Sequence, residues 1–66
     1  MPTTVTANIN YYRTLIGVTQ KELEQALGIS RVTFRRRCDT ENLTISDLRI
    51  IADKLHIKVI DLMKGV

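Results

Sequence analysis

Four arginines on one short segment are the residues whose type and spacing point most directly to chemistry. Arg31, Arg35, Arg36 and Arg37 have no acidic residue among them, so positions 31–37 carry +4. The whole chain is formally +3, so the remaining residues sum to −1. A guanidinium pairs with phosphate or with the O6 and N7 atoms of guanine. On a helix, Arg31 and Arg35 would repel each other at i,i+4, and this unrelieved cost favours a polyanionic partner over a merely solvated helix face.

The other reactive side chains do not form a recognisable catalytic or metal-binding set. Cys38 is the only cysteine and His56 the only histidine, so an intrachain disulfide is excluded and a metal site is not expected. A catalytic cysteine would need a base held nearby and an oxyanion site. The sequence also has no Gly-rich phosphate loop, paired carboxylate cluster or nucleophile elbow. We therefore expect no enzymatic activity, no cofactor, no metal and no small-molecule ligand. Cys38 is interpreted as a buried or half-buried thiol, and His56 as a surface residue at a helix end.

The arginine segment follows a helix whose two ends are clearly marked. Thr19 is a good N-cap, and Glu22, three residues later, completes a capping box. Gly28 can end this helix in the left-handed conformation, and Ser30 can cap the next helix. The link between the two helices is only two residues long, which forces a sharp crossing as in a helix-turn-helix. The buried stripe of the first of these helices is predicted to be Leu23, Ala26 and Leu27.

Helical periodicity continues through the rest of the chain. It predicts one all-α domain over residues 1–66, a compact bundle of five short helices with the helix-turn-helix at helices two and three. The first helix is predicted over about residues 6–16, capped by Thr4 or Thr6 and closed by Gly17. Its apolar stripe comprises Val5, Ile9, Tyr12 and Ile16.

Two more helices are predicted after a polar surface loop at residues 38–43. Thr44 and Asp47 form a second capping pattern, and the last helix spans Lys58–Lys64, with Lys58 as a weak cap. The apolar face of the fourth helix comprises Ile45, Leu48, Ile51, Ala52 and Leu55. The inward residues of the fifth helix are Val59, Leu62 and Met63. No apolar run approaches the ~20 residues of a membrane span.

A longer pattern runs through both halves of the chain. It consists of Arg13, Gly17-Val18-Thr19-Gln20, Leu23, Leu27-Gly28-Ile29-Ser30, Phe34, Leu48, Ile51-Ala52, Leu55, Ile57 and Leu62-Met63. This pattern resembles the phage Cro and repressor family of helix-turn-helix DNA-binding proteins, the lambda-repressor-like or XRE type. The resemblance covers about residues 9–63. It implies that the third helix lies in the major groove while the second crosses the DNA backbone.

The resemblance also implies roles for individual side chains. The base-reading positions of the family match Arg31, Val32 and Arg36, with Thr33 and Arg35 as second choices. Phosphate contacts are expected from Gln20, Arg13, Arg37, Asn42 and Thr44. The chemistry of Gln20 agrees, because its amide and the backbone N–H groups at the first turn of a helix can hold a phosphate oxygen.

Two positions depart from the family pattern. The position of Glu24 is usually occupied by a small residue, and that of Arg37 by an apolar one. We hypothesise that these two side chains form a partly buried ion pair across the motif, which would account for both departures together. Cys38, four residues after Phe34, would supply the missing apolar contact.

These observations together predict a sequence-specific double-stranded DNA-binding transcriptional regulator, a Cro-like repressor of a phage or mobile element. A lone thiol without a signal-peptide pattern suits a reducing cytoplasm, here that of a bacterial host at its nucleoid. One copy reads only a few base pairs, so we expect a homodimer, at least on DNA, at a palindromic operator. The expected interface residues are Ile60, Val59 and Val66. Two alternatives stay open: a small protein–protein module, such as an antitoxin, anti-repressor or adaptor, and an RNA-binding protein.

Overall fold

The computed structural model describes residues 4–66, which form five short α-helices and no strand. In chain order these are α1 (Val5–Ile16), α2 (Gln20–Leu27), α3 (Arg31–Asp39), α4 (Ile45–Lys54) and α5 (Val59–Leu62). The expected all-α bundle of five helices is therefore confirmed. None of these helices is long and apolar enough to cross a membrane.

The starts of α2 and α4 have the capping boxes that the sequence predicts. Thr19 Oγ1 accepts the N–H of Glu22 at 3.2 Å, and Glu22 Oε2 accepts the N–H of Thr19 at 2.7 Å. At α4, Thr44 Oγ1 accepts the N–H of Asp47, and Asp47 Oδ2 accepts the N–H of Thr44, both at 3.1 Å. Each box satisfies two backbone donors that a helix start would otherwise leave open.

Glycines end α1 and α2 in the left-handed conformation. Gly17 has φ +85° and Gly28 has φ +69°, and no atom lies within 4 Å of a Cβ added at either position. Backbone conformation, and not crowding, therefore favours glycine here. Glu41 at φ 53° and His56 at φ 57° adopt the same region with a side chain, a conformation that costs roughly 1–2 kcal/mol per residue.

The core takes residues from every helix. Its buried members are Ile9, Leu23, Phe34, Cys38, Leu48, Ile51, Ala52, Leu55 and Leu62. Four residues assigned to apolar stripes are instead exposed: Ile16, Ala26, Ile45 and Met63. Ile16 and Ile45 are terminal residues of their helices and Met63 follows the end of α5, so no element covers them. The inward side of α2 is formed by Leu23 and Leu27, which leaves Ala26 outside it.

The segment after the arginines also differs from the prediction of a surface loop at 38–43. The helix α3 continues to Asp39, and Cys38 is only 8% exposed within the core. The thiol thus supplies the apolar contact expected of it four residues after Phe34. At α1, Thr4 is the N-cap, while the hydroxyl of Thr6 donates to the carbonyl oxygen of Cys38 at 3.0 Å.

The last helix is shorter than predicted. It ends at Leu62, where the N–H of Met63 donates to the carbonyl oxygen of Ile60 in a tightened last turn. Asn8 Nδ2 on α1 donates to the carbonyl oxygens of Leu62 at 2.7 Å and Lys64 at 2.9 Å, and so ties this end of the chain to α1.

The side chain of Lys58 makes no cap, as expected, and Asp61 Oδ2 accepts its N–H at 3.1 Å. That hydrogen bond lowers the pKa of Asp61.

Candidate nucleic-acid interface

The arginine helix is oriented by its cap and by two buried side chains. Ser30 Oγ accepts the N–H of Thr33 at 3.2 Å, which sets the start of α3. Phe34 and Cys38, at i,i+4, lie in the core and fix the side of α3 that faces the bundle. The residues left exposed on this helix are Arg31, Val32, Arg35, Arg36 and Asp39. The first four are called here the outward face of α3.

The guanidinium groups of the outward face have no carboxylate partner within residues 4–66. The two ion pairs found there involve other cations: Arg37 with Asp47 at 3.4 Å, and Lys64 with Asp61 at 3.2 Å. Three positive charges are therefore exposed on α3 without an ion pair in this part of the chain, and one exposed carboxylate, that of Asp39, lies on the same helix. The sequence analysis grouped four arginines on this helix; the structure exposes Arg31, Arg35 and Arg36 together and turns Arg37 toward Asp47.

Two further residues of α3 were predicted to contact bases. Val32 is 75% exposed, so its side chain lies among the arginines and outside the core. Thr33 is half-buried, and its Oγ1 accepts the hydroxyl of Ser30 at 2.9 Å. The hydroxyl of Thr33 is thus already engaged in the helix cap, whereas Val32 offers an apolar surface suited to a thymine methyl group.

Two adjoining clefts separate α3 from the helices before it. One, of ≈ 380 Å³, lies between α2 and the start of α3; the other, of ≈ 260 Å³, extends to α1. Gln20 and Arg31 line both clefts, so the predicted phosphate-binding glutamine does lie beside the outward face. The other polar residues at these clefts, to which the sequence analysis gave no role in binding, are Thr6, Asn10, Lys21, Glu24 and Asp39.

Two of these residues carried a usable signal: Glu24, which departs from the family pattern but was assigned to an ion pair, and Lys21. Lys21 follows Gln20 in the first turn of α2, where a cation beside a candidate phosphate contact could have been noticed. Thr6 and Asn10 reach the clefts through the packing of α1 beside α3, which no local pattern reveals.

Glu22 is also in the first turn of α2. Its carboxylate accepts the N–H of Thr19, and this hydrogen bond lowers the pKa of Glu22.

The hypothesis of a Glu24–Arg37 ion pair is wrong. Arg37 Nη1 donates to Asp47 Oδ2 at 3.4 Å, and the Asp47 side chain is only 13% exposed. Glu24 Oε2 instead accepts Nε2 of Gln20 at 3.1 Å, one helical turn before it. The capping box of α4 already holds the Asp47 carboxylate near the end of α3, and so Arg37 finds a partner there.

The other predicted phosphate contacts fall into two groups. Arg13 is half-buried and donates to the carbonyl oxygen of Val18 at 3.5 Å and to Asn10 Oδ1 at 3.4 Å. Because Asn10 lines the same cleft as Gln20, this group lies beside α2.

The second group lies where α3 meets α4. Asp47 Oδ2 accepts from both Arg37 and the N–H of Thr44, and the N–H of Asn42 donates to the carbonyl oxygen of Arg37 at 2.9 Å. Asn42 and Thr44 are exposed.

The apolar residues expected at a dimer interface are not equally accessible. Ile60 is 67% and Val66 64% exposed, whereas Val59 is half-buried against the core. Val66 also lines an apolar groove of ≈ 280 Å³, together with Val5, Leu43, Ile45, Leu48 and Met63. Ile60 and Val66 therefore remain candidates, and Ile45 and Met63 are exposed apolar neighbours that the sequence reading had assigned to the interior.

No protein family, curated protein or solved structure matches this chain in comparison. The resemblance to the Cro and repressor family thus stays a prediction from the residues, and the functional argument depends on the geometry of α2 and α3.

Proposed function

We propose that α2 and α3 form a helix-turn-helix and that the protein binds double-stranded DNA as a sequence-specific transcriptional regulator. The observation that carries the proposal is the outward face of α3, where three exposed arginines have no carboxylate partner within residues 4–66. A role as a Cro-like repressor of a phage or mobile element, in the cytoplasm of its host, follows from the sequence resemblance.

The dimensions of α3 suit the major groove. An α-helix with its side chains is about 10–12 Å wide, and the major groove of B-DNA is about 12 Å wide. The nine residues of α3 rise by about 13.5 Å, which limits one copy to a few base pairs. Two copies on a palindromic site would extend the readout, with recognition helices about 34 Å apart.

The side chains divide into base-reading and phosphate-binding sets. Arg31 and Arg36 are our candidates for bidentate pairing with guanine, and Val32 for contact with thymine, with Thr33 and Arg35 as second choices. Gln20 and the half-buried Arg13 would contact phosphate beside α2. Phosphate contacts from Asn42 and Thr44 would lie at the start of α4, where Arg37 is already paired with Asp47.

The direct test is selection of bound sequences from a random duplex pool, followed by affinity measurements on the selected site. We expect log Kd to change with log salt by about 0.9 per phosphate neutralised. The matched competitors are a duplex of shuffled sequence and an RNA duplex of the selected sequence. Affinity that is unchanged between low and physiological salt, or stronger binding to the RNA, would contradict the proposal.

The two-fold arrangement is tested separately, with Ile60→Glu. We expect this variant to sediment as a smaller species and to lose cooperative binding to the full palindrome, while a single half-site is bound as before. Leu15→Glu, at a 68% exposed apolar position on α1 that lines neither cleft, controls for the added charge. A variant as dimeric and cooperative as the parent would place the interface elsewhere.

A protein–protein module is the second candidate function. The observation in its favour is the apolar groove near the C terminus, beside the exposed side chains of Ile45, Met63 and Val66. Contiguous apolar surface of this kind is typical of interaction sites. This function would be favoured if no duplex is selected from the random pool at low salt.

A further inference from the structure

Glu24 occupies a position where the family pattern has a small residue, and its surroundings suggest a specific task. The side chain is half-buried on α2, one helical turn after Gln20. Its Oε2 accepts Nε2 of Gln20 at 3.1 Å. Both side chains line the cleft between α2 and the start of α3, together with Lys21 and Arg31.

A carboxylate acceptor restricts an amide side chain in two ways. The hydrogen bond is charge-assisted and so stronger than one between neutral groups. It also fixes which amide atom is the nitrogen, since only the NH₂ group can donate to a carboxylate. One N–H of Gln20 is therefore held by Glu24, and the second N–H remains available to another acceptor.

We propose that Glu24 is a positioning residue that holds the Gln20 amide so that its free N–H meets a phosphate of bound DNA. The inference rests on the proposed DNA-binding function. A side chain that is already ordered loses less conformational entropy on binding. The carboxylate itself repels the phosphate, and the cations of Lys21 and Arg31 in the same cleft offset that repulsion.

This arrangement gives Glu24 two opposing effects on affinity. Through Gln20 it favours binding, and through its own charge it disfavours binding. The favourable effect requires the Gln20 amide, whereas the repulsion does not. The effect of removing Glu24 should therefore change sign when Gln20 is absent.

A double-mutant cycle on the selected duplex tests that reversal. In the parent background, Glu24→Ala should weaken binding by about 3- to 10-fold, the range of one hydrogen bond. In the Gln20→Ala background, the same change should strengthen binding, because only the repulsion is lost. Glu24→Gln keeps an acceptor for the amide without the charge, so it should bind at least as tightly as the parent.

Equal fold-changes for Glu24→Ala in the two backgrounds would overturn the proposal. Thermal unfolding of each variant identifies losses caused by misfolding. Glu24→Ala introduces a stronger helix former, so a folding defect is not expected.

A second measurement uses the free protein and separates this inference from the proposed function. The side-chain amide resonances of Gln20, observed by ¹⁵N NMR, should show restricted motion in the parent and in Glu24→Gln, and free rotation in Glu24→Ala. Restricted motion without duplex binding would mean that the proposed function has failed. Duplex binding with a Gln20 amide that is mobile in the parent would mean that the positioning role has failed.

Discussion

The two sides of α3 differ in whether their residues have partners within the protein. On the inner side, Phe34 and Cys38 are buried and Arg37 is paired with Asp47. On the outward face, the side chains are exposed and the arginines lack carboxylate partners within residues 4–66. Within the described residues, the same residue type thus has a carboxylate partner at position 37 and none at position 36. Substitutions on the inner side should change stability, and those on the outward face should change binding.

The largest effect is expected for Phe34→Ala, which removes a buried ring from the inner side. Phe→Ala in a core costs about 3–5 kcal/mol, which lowers the Tm of a domain this small by at least roughly 12 °C. The matched control is Val32→Ala on the outward face, 75% exposed, which should change stability by less than about 0.5 kcal/mol. Circular dichroism melts measure both. Equal losses for the two variants would show that the two sides do not differ as described.

The next effect is on DNA binding. Arg36→Ala should relax base preference at one position per half-site, because a bidentate arginine–guanine contact contributes about 1–3 kcal/mol of discrimination. Its melting temperature should stay near that of the parent. Arg49→Ala, an exposed arginine on α4 outside both clefts, is the matched control and should leave base preference unchanged. If Arg36→Ala weakens all duplexes by the same factor, then Arg36 contacts phosphate and does not read a base.

Local signals in the sequence predicted much of this fold and of the contrast between the two sides of α3. The capping boxes of Thr19 with Glu22 and of Thr44 with Asp47 join residues only three positions apart, so the sequence determines them directly. The exposure of Arg36 could be predicted because it lies two residues from both Phe34 and Cys38, which places it on the opposite side of the helix from these buried residues.

Contacts between distant elements were the part that could not be predicted. Asn8 ties the end of α5 to α1 by a hydrogen bond between residues 54 positions apart in sequence. The sequence analysis paired Arg37 with Glu24, whereas the folded chain brings Asp47 to 3.4 Å from it. Sequence periodicity likewise cannot show whether a neighbouring element covers the end of an apolar stripe, as at Ile45.

A smaller change in stability is expected for Arg37→Ala. The Arg37 side chain is 38% exposed, so the pair with Asp47 contributes in the range of surface ion pairs, about 0.2–1 kcal/mol. Asp47→Asn keeps an acceptor for the N–H of Thr44 and removes the charge, so Arg37→Ala should cost less in that background. Chemical denaturation of the four proteins in this cycle measures the coupling. Additive losses would indicate that the ion pair does not stabilise the fold.

The smallest effect concerns the pH dependence of stability. Burial raises the pKa of the Cys38 thiol above its ordinary value. The native state then keeps the thiol proton at a pH where the unfolded chain releases it. The buried neutral thiol therefore contributes to the free energy of unfolding. This contribution is complete below the thiol pKa of the unfolded chain, about 8.5, and is lost as pH rises from there through the thiol pKa of the folded protein.

Urea denaturation between pH 7 and 10 measures this slope. We expect the parent to lose stability with rising pH more steeply than Cys38→Ala, whose absolute stability is lower because the side chain is smaller. Because lysines and tyrosines also titrate in this range, the informative quantity is the difference in slope between the two proteins. Identical slopes would mean that the thiol reaches water in the native state. Of the two buried residues on the inner side of α3, only Phe34 would then be shielded from water. Position 38 would not differ from the outward face in its exposure to water.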